Sequence, residues 1–214
     1  MIRALIIATI EYLFMIYVLK KGKNFKYIIC TILFFLATYQ LGEFLTFLKT
    51  PNDFGIRLAY FSTTLLPPLG ILLLEKITRK KYFYQILQII GIIFALVVFV
   101  SPSSLIVSYT LTDMCVRIDS YTYPFGWIWG IYYQAVLIFT MVLLIFNILF
   151  LKGVNKKLLK LVLLAYISFD FTAIIIIWLF PSLANSLASL MCALALFAAF
   201  VLTRISVNKR LLVK

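Results

Sequence analysis

Long apolar runs, each bounded by a short polar or basic segment, divide this chain almost from end to end. A window of about 19 residues, the length that crosses a bilayer as a helix, finds seven of them. They are Ile2–Leu19, Tyr27–Leu48, Leu58–Glu75, Tyr82–Val100, Phe125–Leu151, Leu161–Phe180 and Leu183–Ile205. Only Pro181 and Ser182 separate the last two, but about 45 residues is too long for one span. The pattern predicts an all-α integral membrane protein, a seven-transmembrane helix bundle forming one domain over residues 1–214.

Composition removes the soluble alternatives. The chain is 64% hydrophobic and 13% charged, where a soluble domain has about 45–50% and about 25%. Its mean hydropathy is +1.10, so a multi-pass protein of the cell membrane is expected. The first run ends in Lys20-Lys21-Gly22-Lys23 instead of a small-residue cleavage site, so it is expected to remain as a span.

The net charge of +13 sets an orientation. Lys20, Lys21, Lys23 and Lys26 fall on one side, with Lys76, Arg79, Lys80 and Lys81, then Lys152, Lys156, Lys157 and Lys160, then Arg204, Lys209, Arg210 and Lys214. Against these four groups of four, the other side has only Arg3, Lys49, Arg57 and Arg117. The positive-inside rule then puts the N-terminus outside and the C-terminus in the cytoplasm. The cationic blocks adjoin apolar spans, so anionic lipid headgroups are the expected partner and nucleic acid is not.

The residues available exclude several chemistries. With no histidine there is no Ser-His-Asp triad, no His-ligated zinc or haem, and no phospho-acceptor histidine. Cys30, Cys115 and Cys192 lie at three different depths, so neither a metal site nor a disulfide is expected. No phosphate-binding glycine loop occurs, and the last run has no lysine for a retinal Schiff base. No cofactor, metal or catalytic residue is expected, nor room for an output domain beside seven helices. The longest non-helical stretch, Ser101–Pro124, which carries Tyr109, Tyr121 and Tyr123, is expected as an outer connector anchored by interfacial tyrosines, the alternative being a cap over an outward-facing cavity.

Ionisable residues inside a span are costly and point to function. Glu11, Glu43 and Asp170 are of this kind, with no Lys or Arg at matching depth. Such acids would be protonated, or would meet cations or an amine ligand. Glu11 is expected to hydrogen-bond to a neighbouring helix. Tyr39, Gln40 and Glu43 fall on one helical face, and Tyr166 precedes Asp170 at the same four-residue spacing. Pro67 and Pro68 should kink the third helix and serve as a hinge. Trp127 and Trp129 read as interfacial anchors, with Tyr133 and Gln134 deeper on the fifth helix in position to line a pocket. Asn185, Ser186, Ser189, Cys192, Ala193, Ala195, Ala198 and Ala199 give the last helix a small-residue packing surface.

The runs Leu41-Gly42-Glu43, Arg57-Leu58-Ala59-Tyr60, Leu66-Pro67-Pro68 and Tyr123-Pro124-Phe125-Gly126-Trp127-Ile128-Trp129 resemble the seven-helix sensory module of bacterial and archaeal histidine kinases. The resemblance covers about the first two-thirds of the chain and carries no ligand residues. It implies a sensor or partner-binding membrane subunit without a kinase domain. Small seven-helix sugar transporters share the length and topology, but their Pro-Gln signature is absent. The expected function is a non-enzymatic sensor taking a small-molecule or cationic ligand, or a protein partner. Tyr39, Gln40, Glu43, Tyr133, Gln134 and Asp170 would line its cavity. The alternative is a small transporter coupling to protons or cations through Glu43 and Asp170; a lipid-modifying enzyme ranks last.

Overall fold

In hydrocarbon a backbone has no water to bond, so apolar runs of this length resolve as helices that satisfy their own amides. The computed structural model describes residues 2–49, 53–81, 84–101, 103, 106–111, 116–150, 156–168, 175, 179 and 187–208. Among them are seven helices and one β hairpin. The order is α1 (Ile2–Lys21), α2 (Lys26–Phe47), α3 (Phe54–Thr78), α4 (Tyr84–Val100), β1 (Ile106–Leu111), β2 (Val116–Tyr121), α5 (Phe125–Phe150), α6 (Lys156–Tyr166) and α7 (Leu187–Val207). Four of them, α1, α2, α3 and α5, are long and apolar enough to cross a membrane. Their 20 to 26 residues extend about 30–39 Å at about 1.5 Å per residue. Helix α4 and residues 194–207 of α7 are shorter apolar helices.

Among the described residues the chain is all-helical apart from the connector expected between Ser101 and Pro124, which is non-helical as expected and forms a short hairpin. It holds an antiparallel ladder pairing Ile106 with Tyr121, Tyr109 with Ile118 and Leu111 with Val116. The register slips between Ile106 and Tyr109. That bulge changes the side-chain phase, so Ile106, Tyr109 and Leu111 all join the apolar cluster beneath.

Two helix starts also move. Helix α3 begins at Phe54, not Leu58, because its first turn is used: Gly55 packs on α2, and Arg57 Nη1 donates to Phe99 O (2.8 Å) and Val100 O (2.6 Å) at the end of α4. A cation on those last carbonyls caps α4 with favourable dipole sign. Helix α6 begins at Lys156, not Leu161. Leu158, Leu159, Val162 and Ala165 form its buried stripe, with Lys156, Lys157 and Lys160 exposed on the opposite side. Asp170 and the Pro181–Ser182 boundary lie outside the described residues.

Packing divides along the bundle into two clusters. One joins Val18, Ile29, Leu33, Leu74, Ile77, Leu144, Leu158 and Ile205 near the lysine-rich ends of α1, α3 and α6. The α1–α2 turn seals this basic end onto α7: Lys23 and Asn24 amides donate to Ser206 O at 2.9 and 3.0 Å, and Asn24 Nδ2 donates to Ile205 O and Asn208 O. The other cluster, at the hairpin end, joins Ile56, Val98, Ile106, Trp129, Tyr133 and Leu137. Tyr166 packs against both clusters.

Helix α2 packs most extensively on α3, and glycine makes that possible. A Cβ on Gly42 would stand 2.5 Å from the Ala59 backbone nitrogen and 2.8 Å from Gly55 O. A Cβ on Gly55 would stand 2.5 Å from Thr46 Oγ1 and 2.7 Å from Gly42 O. Small residues on both faces let the two backbones touch, as in other membrane helix pairs. Further along, α3 continues as helix through the expected hinge residues Pro67 and Pro68, both buried. Pro68 leaves Thr64 O without its helical donor, and Gly91 lets α4 lie close to both that oxygen and the proline ring.

Gly42→Ala forces backbone against backbone, so it is expected to destabilise by about 1–3 kcal/mol, read as a lower thermal midpoint in lipid nanodiscs. Gly130, with nothing within 4 Å of an added Cβ, is the control that should accept alanine with little change.

Candidate ligand-binding site at the hairpin end

Polar side chains in this bundle divide by whether they can satisfy themselves locally. Thr38, Thr46, Ser62, Thr64, Thr78, Thr140 and Thr203 each donate to the carbonyl four residues back, the usual solution for a short hydroxyl on a helix. Several longer polar groups instead reach partners on other elements, and the hairpin end holds a group of these.

Trp129 is the centre of this collection. Its ring lies 5.3 Å from Tyr60, 5.4 Å from Tyr133 and 6.3 Å from Tyr121. Its Nε1 donates to Thr64 Oγ1 at 2.9 Å, while Thr64 donates onward to Tyr60 O. Thr63 Oγ1 donates to the Tyr133 hydroxyl over 3.4 Å, so α3 and α5 are joined by neighbouring polar contacts. The Tyr60 and Tyr121 hydroxyls are 3.4 Å apart, tying the hairpin to α3. Tyr60 also lies within electrostatic range of Glu43 and Tyr133.

Glu43, 5% exposed, accepts a hydrogen bond from Tyr39 at 3.0 Å. One turn further along α2, Thr46 lines an open cleft of about 510 Å³. Lys49, Asp53, Tyr109, Thr110 and Leu111 complete its lining. Lys49 and Asp53 both take left-handed backbone angles, φ 50° and 54°, uncommon for side-chain-bearing residues. The Asp53 carboxylate makes no bond to the start of α3; its Oδ1 instead accepts from the Tyr109 hydroxyl at 2.9 Å. Partial burial, and then that bond and the Asp53 charge, push the Tyr109 phenol above its usual value of 10.0.

The structure brings together part of the expected cavity. Tyr39 and Glu43 are bonded, and Tyr133 belongs to the aromatic group next to them. Gln40 is fully buried, but among the described residues neither polar atom has a hydrogen-bond partner, so it does not join Tyr39 and Glu43 in one bonded group. Gln134 is exposed and does not line a pocket with Tyr133: residue 133 follows the buried positions Gly126, Trp129, Val136, Leu137 and Thr140, whereas 134 lies about 100° around the helix. Trp127 is 65% exposed, whereas Trp129, read with it as an interfacial anchor, is buried. Among the described residues, Glu11 has no hydrogen-bond partner, where a bond to a neighbouring helix was expected.

Lys49, Asp53 and Thr110 were not legible as site residues, and Tyr109 only as part of a loop able to cap a cavity. The available signal was the β-branched and aromatic content of 106–111 and the alternation Val116-Arg117-Ile118-Asp119, which mark a hairpin able to fold back on the bundle.

The site offers one cation, one anion and several hydroxyls at the cleft, with a carboxylate and aromatic faces beneath. It presents no nucleophile paired with a base, and among the described residues no His/Cys/Asp/Glu group could hold a metal. In comparison with known protein families, characterised proteins and solved structures, the chain matches none.

The raised Tyr109 phenol has a pH consequence. The Tyr109–Asp53 contact contributes stability below about 10, the unfolded tyrosine value, and loses it as pH rises through the higher folded value, because a tyrosinate cannot donate and repels Asp53. An ultraviolet titration of wild type against Tyr109→Phe should show one phenol ionising late. Hydrogen exchange at neutral pH should show β1 less protected in the variant.

Proposed function

We propose that this protein is a membrane-embedded, non-enzymatic sensor or ligand-binding subunit whose site is the cleft between the end of α2, the start of α3 and the hairpin. The observation that carries this reading is the cleft itself, an open space with Lys49 and Asp53 on its wall and Glu43 one helical turn below. A small polar molecule bearing both charges would complement Lys49 and Asp53. The hairpin is suited to report occupancy because Tyr109 and Tyr121 already tie it to α3. The sequence resemblance to seven-helix sensory modules favours the same role.

The proposal includes seven spans, an outside N-terminus and a hairpin on the outer face. The charge distribution supports this. Lys20, Lys21, Lys23, Lys76, Arg79, Lys80, Lys81, Lys156, Lys157, Lys160 and Arg204 are all exposed, where they would face anionic headgroups or an acidic cytoplasmic partner. The broad exposed apolar surface of α4 and α5, including Ile89, Ile93, Ile131, Phe139 and Phe146, is that of helices facing lipid.

Two measurements test the reading. A membrane-impermeant maleimide should label Cys115 in intact cells; labelling only after lysis would invert the topology. In nanodiscs, a panel of small zwitterions and organic cations should include members that raise the thermal midpoint of wild type and not of Lys49→Ala or Asp53→Asn. Uptake of the same compounds into proteoliposomes would replace the sensor with the transporter reading.

A further inference from the structure

Helices α1 and α2 are antiparallel neighbours, and two contacts set their register. Cys30 Sγ donates to Met15 O over 3.8 Å, and the Tyr12 hydroxyl lies 3.1 Å from Thr38 Oγ1. Glu11 therefore lies at the level of residues 34–39 of α2, about one turn from Gln40. Helix α7 runs alongside α1. The Phe14–Phe200 ring contact and the approach of Gly22 to Ser206 put Ala195 and Ala198 at the level of Glu11.

Glu11 and Gln40 are both 0% exposed. Neither carboxylate oxygen of Glu11 and neither amide atom of Gln40 has a hydrogen-bond partner among the described residues. Buried polar groups are nearly always bonded, so each exception asks for an explanation. Among the described residues no cation answers the carboxylate. The titratable groups on α2 toward this level are Cys30, Tyr39 and Glu43; Tyr12 is the one on α1; residues 194–203 of α7 carry none. Tyr39 already donates to Glu43 and Tyr12 bonds Thr38. A bare proton would neutralise Glu11 yet leave the Gln40 amide unbonded. What suits both residues is one positive charge that arrives with oxygen chemistry.

We propose that Glu11 and Gln40 form a binding site for a small monovalent cation, with Glu11 as counter-charge and the Gln40 carbonyl oxygen as second ligand. The cation enters either as sodium with residual water or as a proton with its water. In both cases water accepts from Gln40 Nε2, and the four polar atoms are satisfied together. The small side chains of Ala195 and Ala198 on α7 suit the close packing such a site needs. This inference rests on α1, α2 and α7, and does not depend on the cleft at the hairpin end.

Thermal unfolding of the full chain in nanodiscs tests it, with sodium chloride replaced by choline chloride at constant ionic strength. If sodium is the ligand, raising it from about 1 to about 300 mM near pH 8 should raise the wild-type midpoint by about 3 °C or more. If the proton is the ligand, the midpoint should fall as pH rises from about 6 to about 9, with no response to sodium, because proton loss leaves a bare carboxylate in the bundle. Glu11→Gln should abolish whichever response wild type shows, and Glu75→Gln should retain it. The double variant E11L/Q40L, which removes both orphaned groups without leaving one unpaired, should fold and also be unresponsive. A wild-type midpoint indifferent to both sodium and pH overturns the proposal, as does an undiminished response in Glu11→Gln or in the double variant.

Discussion

The contact on which the hairpin end depends is the close approach of α2 and α3 at Gly42 and Gly55. With no side chain on either residue, Gly42 meets the backbone at Ala59, and Gly55 meets Thr46. Everything the site uses is counted from this contact. Glu43 adjoins Gly42, Thr46 lines the cleft, and Arg57, two residues beyond Gly55, caps α4. Tyr60 follows one residue after Ala59 and reaches Trp129. Separating the two helices by the width of a methyl group would move all of these groups relative to one another.

Polar satisfaction is the second constraint. The short hydroxyls bond to their own helix and can sit anywhere in the bundle without needing a partner. Trp129, Tyr60 and Tyr109 do not do this, so their polar tips draw α3, α5 and the hairpin into one layer. Glu11 and Gln40 are the contrast within the same bundle. Their atoms are buried away from both solutions, where any charge is unscreened and an unmet hydrogen bond is expensive. Function in this protein is therefore sought where the helices could not satisfy the side chains by themselves.

Much of the fold was legible because long apolar runs have few structural outcomes in a bilayer. The positions of α1, α2, α4 and α5 follow the hydropathy pattern within a few residues. The early starts of α3 and α6 did not, since both first turns carry polar or basic residues that hydropathy counts as loop. In α6 the buried Leu158, Leu159 and Val162 alternate with lysines at helical spacing, a signal of period instead of mean apolarity. The hairpin was hidden in the same way, its strands too short and polar to register as spans.

Of the candidate site, the Tyr39–Glu43 pair could be read from four-residue spacing, because both ends lie on one helix. The Lys49–Asp53–Tyr109 cleft could not, because Tyr109 lies 56 residues from Asp53 and meets it only after the chain has crossed the bundle and returned. Nor could spacing separate the buried Trp129 and Tyr133 from the exposed Trp127 and Gln134, which depends on the helix face that α3 covers. The sequence by itself determined the helical membrane character and the uneven distribution of charge, since both follow from transfer of side chains between water and hydrocarbon. Which polar groups meet across helices and which stay unbonded came only from the tertiary structure, because that depends on interhelical distances set by glycines, caps and a returning hairpin.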